Sequence, residues 1–325
     1  MSKDKTLTAI DVGSSKVAVV IATTARGPSE PSVIGVSSLE SSGIKKGQIV
    51  DINQAVASIS RAVELAEKMA GTSVGRAIIS VGGSHISSSN SKGVVAVAQP
   101  EGEITNTDIK RVIEAARAIS LPSAREILHV LPREYTVDGQ AGIKDPKGMT
   151  GVRLEVETQI VTGSTTAIHN LVKSITEVGV DVDGVVFTGL ASAQSVLTET
   201  EKELGAVLVD IGGGTTAVAI YVEGALAYSS VLPVGAKNVT ADLAVGLRIS
   251  LESAEKVKLF LSQKDKPKTF NTIDPETPSG SKSRPDDELD ISPLKLTEEV
   301  KKISRKTVVE GIIKPRLQEI FSMVG

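Results

Sequence analysis

Two short stretches of this chain place a carboxylate two residues ahead of a glycine turn. The first is Asp11-Val12-Gly13-Ser14-Ser15-Lys16, approached through Leu7–Ile10 and left through Val17–Ala22. The second is Asp210-Ile211-Gly212-Gly213-Gly214-Thr215-Thr216, approached through Ala206–Val209 and left through Ala217–Val222. Each reads as strand, tight polar turn, strand. Glycines let such a turn bend closely, and its backbone N–H groups can wrap an anion such as a phosphate. A carboxylate at the strand end suits a hydrated Mg2+, which prefers carboxylate, water and phosphate oxygens. A single copy is an ordinary β-turn. Two copies in matching context, one in each half, point to a nucleotide held between two related domains.

Other phosphate motifs fit less well. A dinucleotide fold needs Gly-x-Gly-x-x-Gly opening a helix, and a P-loop needs Gly-x-x-x-x-Gly-Lys before Ser or Thr. Here both turns run on into β-rich segments. The nearest P-loop string, Gly71-Thr-Ser-Val-Gly75-Arg76, lacks the lysine.

Composition narrows the remaining classes. A chain of 325 residues with 40% hydrophobic content can bury a large core, and its length predicts two or three domains. A net charge of −3 gives no basic field for nucleic acid, and 2% aromatics give few stacking platforms. There is no cysteine, which removes disulfides, thiolate metal sites and thiol nucleophiles together. His85, His129 and His169 stand far apart without ligand spacing and read as structural. No secretory signal core opens the chain, and no apolar run approaches the ~20 residues of a membrane span. These features predict a soluble cytoplasmic protein.

The elements that must position the turns can be read from periodicity. A strand is expected near Ser32–Ser37 and a helix over Gln54–Ala70, capped by Asp51 or Asn53 and stopped by Gly71. A buried strand, Arg76–Val81, runs into Gly82-Gly83. The segment from about Ser84 to Val161 changes character: a strand (Gly93–Ala98), a helix from Thr105-Asn-Thr-Asp108 to about Ile119, then strands Glu126–Leu131 and Arg153–Thr162 joined by a loop. This reads as an inserted small α+β domain. A helix (Ala167–Val178), a strand (Gly184–Phe187) and a helix (Ala191–Leu197) follow. Beyond the second hairpin come a helical region, Val239–Phe260, a polar, proline-broken stretch over 264–293 expected to be a long mobile loop, and helical stretches over Thr297–Met323 interrupted near Gly311 and Pro315.

With these strings in hand, the chain resembles the FtsA family of actin-like cell-division proteins. The resemblance runs from about Leu7 to the last residue. It rests on Ile10–Lys16, Gly82-Gly-Ser-His-Ile86, His129-Val-Leu-Pro-Arg-Glu-Tyr135, Thr188-Gly-Leu-Ala-Ser192, Val209–Thr215 and Ala254-Glu-Lys-Val-Lys258. The Asp-Gly hairpins are common to all actin-like proteins; the strings flanking the insert are specific to this family.

The resemblance implies an actin-like (ribonuclease H-like) α/β fold. Residues 1–83 and 162–197 would form the first lobe, 84–161 the insert and 198–325 an incomplete second lobe. It implies ATP and Mg2+ as cofactors. Asp11 and Asp210 would face the metal and its waters. Gly13, Ser14 and Ser15, with Lys16 as cationic partner, would give one phosphate grip; Gly212, Gly213, Gly214, Thr215 and Thr216 would give the other. Glu255 and Lys258 would contact ribose or adenine; apart from the resemblance, an exposed helical charge pair at i, i+3 is the preferred reading. Gln194 stands where actins carry a water-orienting glutamine, although its helix position fits a solvent-facing side chain better. Hydrolysis would be slow, since no strong base is evident.

The implied partners are FtsZ, through its C-terminal tail, further copies of this chain in filaments, and other division proteins; Arg316 is a candidate contact for the tail, although a plain surface arginine explains it better. The family also carries a C-terminal amphipathic helix that lies on the membrane at the division site. The chain stops before the family's second Gly-Gly strand and that helix, so a fragment of a longer protein is expected. An actin-like component of a pilus or secretion assembly and a small-molecule kinase on the same fold remain as alternatives.

Overall fold

The computed structural model describes residues 5–24, 30–98, 102–264 and 287–325. The chain divides into two units, Met1–Val234 and Gly235–Gly325.

The first unit opens with an antiparallel meander of β1 (Lys5–Val12), β2 (Lys16–Thr24) and β3 (Ser32–Glu40), followed by the two-residue strands β4 (Ile44–Lys45) and β5 (Gln48–Ile49). Helix α1 (Ile52–Ala70) begins where the Asp51 carboxylate accepts the Gln54 N–H at 3.0 Å. It ends at Gly71, which is left-handed (φ 67°) and returns its N–H to the Glu67 carbonyl. Ala55, Ile59, Ala62, Val63 and Ala66 form its buried stripe, and each large apolar side chain buried there contributes about 1.5–3 kcal/mol. The helix lies close on β3 because residue 35 is glycine: a Cβ there would stand 2.6 Å from the Ala66 carbonyl oxygen.

Strand β6 (Arg76–Val81) then pairs in parallel with β1, as right-handed crossover chemistry favours. After the insert, α3 (Thr165–Thr176) crosses back to β11 (Asp181–Phe187), whose predecessors β7 to β10 are given below. The resulting five-stranded order is β11-β6-β1-β2-β3.

The insert holds β7 (Ser87–Ala96), α2 (Asn106–Arg117), β8 (Arg125–Val137), β9 (Gln140–Ile143) and β10 (Arg153–Ser164). Its sheet is antiparallel, ordered β7-β10-β8-β9, and has its own core of Ile104, Val112, Ala116, Tyr135, Val137, Leu154 and Val156. Thr105 and Asp108 start α2 with a reciprocal capping box. β9 falls in the segment read from sequence as loop.

Helices α4 (Thr188–Val196) and α5 (Glu199–Leu204) lead to a second meander, β12 (Ala206–Ile211), β13 (Thr216–Val222) and β14 (Ala225–Leu232). Both sheets share one apolar core: Ile10, Val19, Ile21, Ile79 and Phe187 join Leu208, Ala219, Tyr221 and Val231 in it.

In the second unit, the single helical region expected over Val239–Phe260 is two helices, α6 (Ala236–Leu247) and α7 (Leu251–Lys264). The break falls at Arg248, which is left-handed at φ 56°. Residues 265–286 of the expected loop lie outside the described residues. Its end is ordered: β15 (Glu288–Asp290) pairs with β16 (Lys302–Ser304), and Leu289 and Ile291 are buried. α8 (Arg305–Val308), a π-helical turn at Val309–Ile313 containing Gly311, and α9 (Lys314–Val324), with Pro315 in its first turn, complete the chain. The Glu298 carboxylate anchors this region to the start of α7. It accepts from the Ser253 hydroxyl and the Ser250 N–H, both at 2.6 Å, and these bonds hold its pKa down to about 2.

Candidate functional site

The two hairpins close in the same way. In the first, Asp11 faces Ala18 and Val12 faces Val17, and the Gly13 N–H reaches the Lys16 carbonyl at 2.9 Å. In the second, Asp210 faces Ala217 and Ile211 faces Thr216, and the Gly212 N–H reaches the Thr215 carbonyl at 2.9 Å. The carboxylates therefore occupy equivalent positions in two equivalent frames.

The turns abut each other. A Cβ on Gly213 would lie 2.6 Å from the Ser15 Cβ, and one on Gly214 would lie 2.9 Å from the Ser14 Oγ and 3.3 Å from the Lys46 nitrogen. Only glycine permits this approach. Ser14 is buried at the contact, and its hydroxyl accepts the Gly47 N–H at 2.8 Å. Among the described residues, the amides of Ser15, Gly213, Gly214 and Thr215 find no acceptor. Ser15 is exposed and Gly213, Gly214 and Thr215 are half-buried, so these amides are open to water or to an anion. Here they are gathered at one place, beside an exposed lysine, Lys16. An anion with several oxygens would satisfy them.

Each carboxylate is held from one side. The Ser80 hydroxyl on β6 donates to Asp11 Oδ1, and the Ser192 hydroxyl on α4 donates to Asp210 Oδ2 at 2.7 Å. No reading of the motifs assigned these serines a role.

Three candidate residues have side chains engaged by other groups. Thr216 is fully buried, and its hydroxyl donates to the Val234 carbonyl at 2.8 Å, so its side chain serves the sheet and not the turn. Side chains alternate along a strand, and Thr216, the first residue of β13, points inward. Gln194 is exposed, and its carboxamide oxygen accepts from Lys202 at 3.0 Å. It stands two residues, about 200°, around α4 from Ser192, which takes the place beside Asp210. Arg316 is committed within the second unit: it binds Asp242 in bidentate fashion at 2.6 and 3.0 Å and also pairs with Glu319.

Glu255 and Lys258 also belong to the second unit. They pair at 2.7 Å, and both bond the Thr240 hydroxyl of α6, at 2.6 and 2.9 Å. Partial burial pushes the Glu255 carboxyl upward. The hydrogen bonds from Lys258 and Thr240, with the charges of Lys258 and Lys237, outweigh it and leave the pKa below the ordinary value. The intrahelical pair foreseen as the plainer reading is formed, with a third member from the neighbouring helix.

The histidines serve the backbone or the surface. His85 Nδ1 accepts the Ser164 N–H at 3.2 Å, and His129 Nε2 accepts the Phe187 N–H at 2.9 Å. Burial lowers the pKa of both, and the Arg125 charge adds to it at His85. His169 is exposed on α3, 3.7 Å from Glu126. Among the described residues no three His, Asp or Glu side chains gather as a metal cluster. Nor is any described helix long and apolar enough to cross a membrane.

Comparison with known proteins follows the same division of the chain. Residues 83–162 match the family described as "SHS2 domain inserted in FTSA", and residues 207–314 match "Cell division protein FtsA". The protein named cell division protein FtsA from Borreliella burgdorferi is 38% identical over 315 residues, covering 97% of this chain and 72% of that one. The chain belongs to the FtsA family. The Pseudomonas aeruginosa FtsA is 43% identical over 256 residues, covering 78% of this chain and 60% of its own length. The match to the Bacillus subtilis FtsA is 40% identical and spans 58% of that protein. The chain thus matches about three fifths of several relatives. Among solved structures, a PilM–PilN type IV pilus biogenesis complex aligns with a TM-score of 0.56 at 14% identity, covering 79% of this chain and 70% of that one. That likeness is one of fold alone. The fold of this FtsA-family chain is actin-like α/β with an inserted SHS2 domain.

Proposed function

We propose that this chain binds ATP with Mg2+ at the two abutting hairpins and serves as an actin-like cell-division scaffold. The observation that carries the nucleotide reading is the gathering of unsatisfied amides from both turns between two singly braced carboxylates. Ser15, Gly213, Gly214 and Thr215 would donate N–H groups to phosphate oxygens, Gly13 and Gly212 would shape the turns, and Lys16 would add a mobile positive charge. Asp11 and Asp210 would each offer the remaining oxygen to the water shell of the cation. Bound Mg2+ supplies neutralisation of phosphate charge. With Gln194 engaged by Lys202 and no histidine in reach of an assigned role, the arrangement favours binding over rapid turnover.

The scaffold reading rests on family membership. It includes self-association into filaments, contact with the FtsZ C-terminal tail and other division proteins, and a membrane connection through the family's amphipathic helix. A purified-chain titration with the FtsZ tail peptide tests the partner; no saturable binding would count against it.

The nucleotide reading is tested by Asp11→Ala and Asp210→Ala. Each should abolish Mg2+-dependent binding of a fluorescent ATP analogue while circular dichroism and the melting temperature stay close to those of the parent. Parent-like titrations for both variants would sink the reading.

A further inference from the structure

We propose that Ser80 and Ser192 are positioning residues, each fixing one site carboxylate so that its second oxygen faces the cation's water shell. This rests on the nucleotide reading above and gives it a geometric requirement.

β6 is an interior strand between β1 and β11. Ala77, Ile79 and Val81 fill its buried face, while Ser80 is half-buried on the other face, which it shares with exposed Arg76 and Ile78. Serine contributes almost no apolar area there and is a weak strand former, so its hydroxyl is what it brings to the position. The parallel register sets Ser80 directly beside Asp11, on the same face of the sheet. Its hydroxyl takes Oδ1. Oδ2 lies on the turn side, 3.9 Å from where a Gly13 Cβ would be, and has no hydrogen-bond partner among the described residues.

Ser192 does the same from a helix. A serine within a helix commonly returns its hydroxyl to the carbonyl four residues back. Ser195 does so on this very helix, bonding the Ala191 carbonyl at 3.0 Å. Ser192 instead turns to Asp210 Oδ2 at 2.7 Å, leaving Oδ1 without a partner among the described residues. The hairpins are repeated in sequence, but their braces come from unlike elements, a strand and a helix. Repetition of one unit cannot produce that; a shared demand on the carboxylates can.

The demand is orientational. A carboxylate on a short side chain rotates about χ2 with little resistance. Mg2+ holds a near-octahedral shell and tolerates little misplacement of the groups that bond its waters. One hydroxyl fixes the carboxylate plane and leaves the other oxygen's lone pairs directed at the turn. Loss of such outer partners typically costs about 10–100-fold in metal affinity.

The test measures ATP affinity of Ser80→Ala and Ser192→Ala in Mg2+ and again in EDTA, alongside Ser192→Thr, which keeps the hydroxyl, and Ser192→Cys, which keeps the volume with a poor donor. Expected is an affinity loss of about tenfold in Mg2+ for the alanine and cysteine variants, unchanged affinity in EDTA, and recovery with threonine. Equal losses with and without Mg2+, or no loss, would overturn the proposal, as would a threonine variant as weak as alanine. If Ser192→Ala melts early, the cysteine and threonine pair decides. Asp210→Ala separates the two readings. If it loses Mg2+-dependent binding while the serine variants do not, only the brace fails; if it too binds normally, the nucleotide reading fails first.

Discussion

The two hairpins carry the same chemistry on different foundations. The first is built into the middle of a five-stranded sheet: β1 has β2 on one side and β6 on the other, with β11 beyond. The second is built on a three-stranded sheet in which β12 is an edge among the described residues. The difference shows at matched positions. Thr8, three residues before Asp11 on β1, is 7% exposed, whereas Val207, three residues before Asp210 on β12, is 56% exposed. A phosphate turn needs a rigid base only as far as its amides and carboxylate must hold still. The first frame achieves this with a paired strand on each side of β1, the second by β13, α4 and the contact between the turns.

This contrast is broken or confirmed most sharply by cutting one apolar side chain from each frame. Ile79→Ala should cost about 2–5 kcal/mol, since it removes buried methylenes from a close-packed interior. Val207→Ala should change stability by less than about 0.5 kcal/mol. Urea unfolding of the two variants measures both. Equal costs would mean that the β12 edge is as well supported as the β1 frame, and the contrast would be lost.

Acid should separate the frames in a second way. His85 and His129 both serve the first half of the chain, and no histidine lies in the β12–β14 segment. Their pKa values are lowered in the folded state, by burial first. The unfolded chain therefore binds more protons than the folded one below the ordinary histidine pKa. The stability they contribute is present above pH ~6.5 and is lost as pH falls through their lowered folded values. Protonating His129 at Nε2 also removes the acceptor of the Phe187 N–H at the end of β11. Hydrogen exchange should show β6 and β11 losing protection as pH falls below about 6.5, before β12–β14 do, and His129→Gln should flatten that dependence. Parallel loss in both sheets would mean that the two frames open as one.

What could be read from the chain follows this same line between local and distant causes. The turns, the two aspartates and α1 with its Asp51 cap and Gly71 stop were legible because each signal sits within a few residues of its effect. The braces were not: Ser80 acts on a residue 69 positions away and Ser192 on one 18 positions away. A serine inside the apolar run Arg76–Val81 was the one available signal. Thr216 looked like part of the turn because it follows three glycines, but strand alternation turns it inward. Gln194 was placed by analogy of position, and helix rotation gives that position to Ser192. β15 was hidden in a proline-rich context; pairing with β16, beyond a second turn, is what buries Leu289. The resemblance supplied the fold class and the insert, which periodicity alone would have left as an irregular α+β stretch.

The smallest expected effect concerns how the insert touches the second frame. Two polar contacts join them among the described residues. Lys144 meets Glu203 on α5 at 2.6 Å, and Ser88 on β7 both donates to the Ser229 carbonyl at 2.6 Å and accepts the Ser229 N–H at 3.2 Å. The ion pair is short, but its side chains are 62% and 54% exposed, where solvent screening and side-chain entropy offset most of the attraction. Ser88 is different in kind. It stands in for a neighbouring strand along the edge of β14, satisfying backbone groups that would otherwise need water. Lys144→Ala should therefore cost less than about 1 kcal/mol and less still at high salt. Ser88→Ala should cost about 1 kcal/mol or slightly more, independent of salt. Urea unfolding at two ionic strengths measures this. A larger, salt-sensitive loss for Lys144→Ala would show that charge, and not strand-edge hydrogen bonding, ties the insert to the sheet that carries the second hairpin.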